Sequence, residues 1–427
     1  MIPVLLLAVT AAPVDLAARG VDQLLNGSAV TCGVPLVVWK QVVGAQKPSL
    51  PGRTGANRTL DDGFTVTRGR TGLDVVAPNC LQCHAGKLLG KTVLGLGNSF
   101  VDQTVDTTPM LEFSRGFLGP GPLRTELDAW LRPMRAAGQH VVTDTVGVSS
   151  ADDLAAVLMA HRDPKTLAWT DAAVVDDEPP VPVDVPAWWL ARDKRSVFAT
   201  GIGRAPEGGD WAAARAAMAA SASLTCTDSV KEAERIIAAF APVPAAFDAL
   251  VVPKWPWRID DALAKAGSAV FEKRCAGCHR KAEVVSLDKV KTDPLLAEKT
   301  AGPAVSRLAW FNASPYGQHA RLESTRGYVA QPLRGVWATA PYFHNGSVPT
   351  LEAVLDSSKR PEKWSRSGDS SDYDPASVGW RYQVETAKTS ARVYDTTARG
   401  FGNGGHLFGD ALSAPERAAV LEFLKTL

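Results

Sequence analysis

The stretch Cys80-Leu-Gln-Cys83-His84 returns as Cys275-Ala-Gly-Cys278-His279. No other feature restricts this chain so strongly. In a Cys-x-x-Cys-His segment the two thiols add across the vinyl groups of haem, and the adjacent histidine turns to the iron as an axial ligand. A zinc site would need a second Cys-x-x-Cys pair about 15–20 residues away. Here the gap is 275 − 83 = 192 positions. A redox dithiol does not call for a histidine after the second cysteine in both copies. The pattern therefore predicts two covalently bound haem c groups, one held by Cys80, Cys83 and His84, the other by Cys275, Cys278 and His279. Haem is attached this way outside the bacterial cytoplasm, which predicts a periplasmic or secreted protein. In that compartment Cys32 and Cys226 could pair or remain two separate buried thiols.

With 427 residues the chain exceeds one compact core and suits two domains. Residues 241–260 carry four prolines, which breaks helical patterning and marks the boundary. The expected architecture is mainly α, with short strands and long loops. An irregular N-terminal haem domain spans 14–250, and a cytochrome c-like haem domain spans 251–427. Residues 1–13 are apolar up to Pro13 and read either as a signal segment or as a buried element. A net charge of +1 gives no reason to expect nucleic acid. No apolar run approaches the ~20 residues of a stable membrane span.

Local patterns place the motifs. Alternation in "GFTVTRG" predicts strand, and residues 84–130 read as loops with short helices. Helices are expected after Ser150 as N-cap, within 209–224 and within 228–243, with an extended connection over 174–189. Asp260 caps a helix that places Leu263, Ala266, Val270 and Phe271 on one face and ends at Cys275. Ser413 and Glu416 form a capping box before Val420, Leu421, Leu424 and Leu427. Two such helices crossing beside a flat cofactor is the plan of a small c-type cytochrome.

A second strong axial ligand makes a haem an electron carrier, whereas a free sixth position lets peroxide or dioxygen react. The remaining histidines are His140, His161, His319, His344 and His406, and no methionine follows Met218. His406 lies in "GFGNGGHLFGD", where glycines allow close approach of backbone to cofactor, so it is the expected sixth ligand of the second haem. For the first haem no histidine or methionine has a suitable setting, which predicts an open or weakly held position.

The segment "PLRGVWATAPYFHNGSVPTL" resembles the C-terminal signature of bacterial di-haem cytochrome c peroxidases and their relatives. "NCLQCHAGKLLGKTVLGLGNSFVD", "DVPAWWLARDKRSVFATG" and "GNGGHLFGDALSAPERAAVLEFLKTL" are most similar to the haem c rubber oxygenase branch. The resemblance implies a C-terminal haem that relays electrons and an N-terminal haem at which peroxide or dioxygen reacts. It also implies a small redox protein as electron donor or acceptor. His344 matches the "PYFHNG" histidine near the haem. Trp188 and Trp189 fall in the "WWL" segment, as charge relays or as plain aromatic packing. The methionine ligand that the peroxidases carry after this block has no counterpart. A Ca2+ ion is compatible with this plan, although no sequence pattern specifies one. Three functions stay open at this point: peroxide reduction, dioxygen-dependent cleavage of polyisoprene or another apolar alkene, and electron carriage without catalysis.

Overall fold

The computed structural model describes residues 15–173, 178–301 and 305–427. The apolar start, 1–13, lies outside the described residues, as do 174–177 of the connection expected over 174–189. Helix exceeds strand, 42% against 12%, and the strands form several two- and three-stranded sheets rather than one layer.

Two apolar cores organise the chain. The first gathers Ile236 and Phe240 of the helix Val230–Phe240, Val243 and Phe247 of Val243–Ala249, and small residues of Trp211–Ala220. The helix Leu16–Asn26 packs on Val243–Ala249, and Gly20 is the meeting point, because a Cβ there would strike the Pro242 carbonyl. Leu308, Phe311 and Tyr316 join this same core from beyond residue 251. The second core holds Trp189, Trp337, Tyr342, Trp380, Leu412 and Val420. Trp188 packs against the first core while its neighbour Trp189 is buried within the second.

Around the first Cys motif the chain is mostly extended. Strand Asp74–Pro78 pairs with Phe64–Arg68 in antiparallel register, Val66 opposite Val76, and with Val34–Pro35 on its other edge. Cys32 and Cys226 form a disulfide that ties this sheet to the helical core across 194 positions. The motif itself is a single turn, Leu81–His84, followed by the hairpin Ala85–Leu88 and Lys91–Leu94. Sequence patterning missed this hairpin. It also missed the 16-residue helix Pro122–Ala137, whose internal Pro133 disguises its period.

Around the second motif the crossing of terminal helices is present. Asp260 accepts from the Leu263 N–H and starts the helix Asp261–Arg274. Ser413 and Glu416 form the capping box of Ala414–Leu424, a cap whose loss costs ~1 kcal/mol. The two helices touch at Gly267, where a Cβ would run into the Ala419 carbonyl. The buried face is Ala264, Gly267 and Phe271, one step round from the expected stripe, and Leu263 is exposed. The reason is physical. The helices approach at backbone distance, so the small residues take the contact and the larger Leu263 turns outward. Ser150 precedes the helix Ala151–Ala160 as expected, but its hydroxyl donates to the Val141 carbonyl rather than capping the helix.

Candidate functional site

Helix Asp261–Arg274 delivers Cys275, Cys278 and His279 to the wall of a cavity of about 560 Å³. Phe271, Leu351, Leu355, Leu412, Val420 and Leu424 supply its apolar side. The His279 Nδ1 is 2.8 Å from the Gln331 carbonyl. A proton on Nδ1 donated there leaves the Nε2 lone pair free for a metal. Behind Gln331 stands Lys194, whose Nζ donates to the Gln331 side-chain oxygen at 3.0 Å. Burial holds this ammonium down at about 8. Lys194 lies in "DVPAWWLARDKRSVFATG", a segment that carries the family resemblance without marking Lys194 within it.

His406 faces His279 across the same cavity, with ring centres 6.2 Å apart and planes at 69°. Two imidazoles bonded to one metal ion at about 2.0 Å place their ring centres about 6 Å apart. The observed separation matches that arrangement. His406 is set by strained backbone. It lies at φ 48° after Gly405 at φ 73°, and its N–H donates to the Val290 carbonyl at 2.6 Å. The Arg360 guanidinium gathers the carbonyls of Asn403 and Gly405 at 2.8 and 2.7 Å. Burial, followed by the nearby His279 and Arg360, lowers His406 to about 4, so its imidazole is neutral and able to ligate at ordinary pH.

His344 lines this cavity as well, stacked on Tyr328 at 3.8 Å and 15°. Its carbonyl accepts from the Asp184 N–H at 2.7 Å, and burial lowers its imidazole to about 3. The structure thus brings together Cys275, Cys278, His279, His344 and His406. The other histidines lie elsewhere: His319 is exposed, His161 stacks on Trp169, and His140 borders a separate surface pocket.

Cys80, Cys83 and His84 form the second part of the site. The hairpin folds back on the turn, so the Asn98 N–H donates to the Cys83 carbonyl at 2.7 Å and the Gly95 N–H to that of His84 at 2.8 Å. The Gly95 carbonyl in turn accepts from the Trp188 N–H at 2.8 Å. A side chain on Gly95 would collide with Leu250 and reach the Trp188 side chain. Trp188 consequently stacks on the His84 imidazole, 4.4 Å between centres and 21° between planes. Burial raises both thiols to about 11. Thiols held up in this way are not nucleophilic or metal-bound thiolates. Burial also lowers His84 to about 3. The Pro186 carbonyl pulls weakly the other way, without hydrogen-bond geometry at the buried Nδ1.

The segment joining the two motifs is 184–190. Trp188 touches His84, while Asp184, Pro186, Ala187 and Leu190 line the cavity of His279. The Trp189 indole is fully buried and donates to the Arg334 carbonyl at 2.9 Å.

The residues present fit haem c. Cys275, Cys278 and His279 line the cavity, and Cys80, Cys83 and His84 are each half-buried. Haem also carries two carboxylates, which a cation would balance; Arg366 is a guanidinium that interacts with Asp184 of the cavity wall. Its guanidinium lies 4.0 Å from the Phe100 ring centre and 4.4 Å from that of Trp380, and it donates to the Ser99 carbonyl. Its Nη1 has no protein partner. Burial lowers Arg366 to about 9 and holds Asp184, a carboxyl that interacts with it, well above the usual carboxylate range. An unpaired buried cation is costly until an anion joins it. Sequence reasoning missed Arg366, which sits in an ordinary "KWSRSG". Among the described residues no group of three or more His, Cys, Asp or Glu side chains is arranged to hold a bare metal ion.

Comparison with known proteins agrees locally. Residues 327–365 match a family described as RoxA-like, cytochrome c-like. That segment contributes Tyr328, Gln331, Arg334, Tyr342 and His344 to the cavity. Its cytochrome c-like character implies covalently bound haem c. Two curated relatives are uncharacterized proteins of Sinorhizobium fredii (strain NBRC 101917 / NGR234). The chain is 29% identical to y4iJ over 280 residues, 48% of this chain and 46% of the relative. It is 30% identical to y4iM over 203 residues, 37% of this chain and 44% of the relative. The match thus spans less than half the length of either relative.

Proposed function

We propose that this protein is an extracytoplasmic di-haem c-type oxidoreductase, in which electrons pass through a haem at Cys275, Cys278 and His279 to one at Cys80, Cys83 and His84. The observation that carries the reading is the 6.2 Å opposition of His279 and His406 inside a cavity walled by a Cys-x-x-Cys-His motif. Bound haem supplies the redox-active iron, at which electrons are exchanged and peroxide can be reduced. His279 and His406 would hold a haem iron between them, and an iron so held would suit electron relay rather than peroxide binding. Gln331 fixes the His279 tautomer, and Lys194 behind it favours the more electron-rich state of the site. Trp188, stacked on His84, and Trp189, buried in the neighbouring core, shorten the path between the two motifs. The Cys32–Cys226 disulfide suits an oxidising compartment. Among the described residues no helix is long and apolar enough to cross a membrane.

A second reading is favoured by one observation, the RoxA-like match over 327–365. On it the His84 iron would take dioxygen and cleave polyisoprene or another apolar alkene. One experiment separates the readings. Cyanide, hydrogen peroxide and a polyisoprene emulsion are added separately to the ferric protein while both haem spectra are followed. Peroxide reduction predicts that the His84 haem responds to cyanide and turns over peroxide. Oxygen-dependent cleavage of the emulsion supports the second reading. A protein indifferent to all three is an electron carrier, and both catalytic readings fall.

A further inference from the structure

The histidines of the two Cys motifs are held in different ways. The His279 Nδ1 lies 2.8 Å from the Gln331 carbonyl. The His84 Nδ1 is buried with no hydrogen-bond partner among the described residues. The Pro186 carbonyl acts on the His84 ring but stands outside hydrogen-bond geometry. Buried polar groups are nearly always paired, so this exception needs a cause. The cause is a clamp of rings. Trp188 stacks on His84 at 4.4 Å and 21°, and Phe247 backs Trp188 at 4.8 Å and 38°. Phe247 is 7% exposed and belongs to the first apolar core. The Trp188 backbone is pinned as well. Its N–H donates to the Gly95 carbonyl, and the Gly95 N–H donates to the His84 carbonyl, both at 2.8 Å. The indole is thus fixed on the imidazole, and the imidazole is kept from turning to an acceptor.

We propose that Trp188 is a positioning residue that keeps the His84 Nδ1–H unbonded and so makes the His84 haem the stronger electron acceptor of the two. The inference rests on the reading that electrons pass from the His279 haem to the His84 haem, and it supplies the driving force for that direction. A hydrogen bond from Nδ1–H to a carbonyl makes an imidazole a better donor, and a better donor stabilises the oxidised state of the iron it holds. His279 has that bond, and His406 would add a second imidazole to the same iron. His84 has neither. The Lys194 ammonium works against this difference, but it bonds to the Gln331 side-chain oxygen and not to an axial ligand. The axial donors act on the iron directly and prevail. One electron then leaves the His279 haem, which is oxidised, and reduces the His84 haem. The Nδ1 proton stays on His84, so no proton moves with it.

The test uses the holoprotein. Spectroelectrochemical titration reads the two potentials. Resonance Raman of the reduced protein reads the iron–histidine stretch, which a five-coordinate haem shows and a six-coordinate one does not. In the half-reduced protein the electron should favour the His84 haem at least tenfold, ~59 mV for a one-electron step. The stretch should lie at the low frequency of an unbonded imidazole. Trp188→Leu frees the ring to reach the Pro186 carbonyl, so the stretch should rise and the preference for the His84 haem should shrink. Trp188→Phe keeps a ring on the imidazole and should preserve both. Phe247→Leu loosens the clamp from behind, should move both readouts as Trp188→Leu does, and serves if that variant folds poorly. A high stretch in the wild type, or one unmoved in both Trp188→Leu and Phe247→Leu, overturns the role of Trp188 alone. An electron that stays on the His279 haem, or a reduced protein that shows no stretch, overturns both the inference and the functional reading beneath it.

Discussion

Replacing Gly405 by alanine should open the iron at His279 without touching either axial histidine. A Cβ at Gly405 would lie 2.1 Å from the Lys291 carbonyl carbon, and ordinary contact begins at 3.4 Å, so the loop must withdraw by 3.4 − 2.1 = 1.3 Å. The obstacle is backbone and cannot rotate aside. Alanine must also hold φ 73°, a left-handed conformation that costs a non-glycine residue ~1–2 kcal/mol. His406 is the next residue, and a metal–imidazole bond of about 2.0 Å does not stretch by that distance. Gly405→Ala should therefore convert the His279 iron from low to high spin, as His406→Ala does. Gly404→Ala is the control, since a Cβ there meets nothing within 4 Å. Optical and EPR spectra of the three ferric variants make the comparison. A low-spin spectrum unchanged in both Gly405→Ala and His406→Ala would refute the assignment of His406 and point to His344, which shares the cavity.

Other outcomes follow from the same structure. Arg366→Leu removes a buried cation and should lower the reduction potential of at least one haem, while Arg366→Lys restores part of the loss. Potentials unaffected by either would show that Arg366 is structural only. Trp188→Leu should slow electron equilibration between the two sites, whereas Trp188→Phe, which keeps a ring on His84, slows it less. Stopped-flow reduction measures both. Burial beside Asp153 raises Asp152 to about 6, which Lys299 and Arg307 offset in part. The folded state then holds this proton more tightly than the unfolded chain, so stability falls as pH rises from about 4 to about 6, by up to ~3 kcal/mol. Asp152→Asn should flatten that slope and raise the melting temperature at pH 7; an unchanged slope contradicts it. Replacing Cys32 and Cys226 by serine should cost about 2–5 kcal/mol for a loop this long, read by denaturant titration.

The two Cys-x-x-Cys-His motifs are legible in the sequence because their pattern is fixed within five positions. The cap at Asp260, the capping box at Ser413 and Glu416 and the role of glycine around His406 were legible for the same reason, since each is local. The partners that complete the site were not. Gln331, Lys194 and Arg366 come from distant segments and act through a carbonyl or one long side chain, which leaves no periodic trace. The hairpin 85–94 is short and half-exposed, without the alternation that marks a strand. The Trp188 stack on His84 depends on Gly95 bridging two backbone segments, a contact made only in three dimensions.

Two haems of unlike reactivity in one chain would leave separate ferric signatures. EPR of the ferric holoprotein before and after cyanide tests for them most directly. Two ferric signals are predicted, one low-spin and indifferent to cyanide, the other converted by it. A single haem signal, or two that both ignore cyanide, would contradict the account.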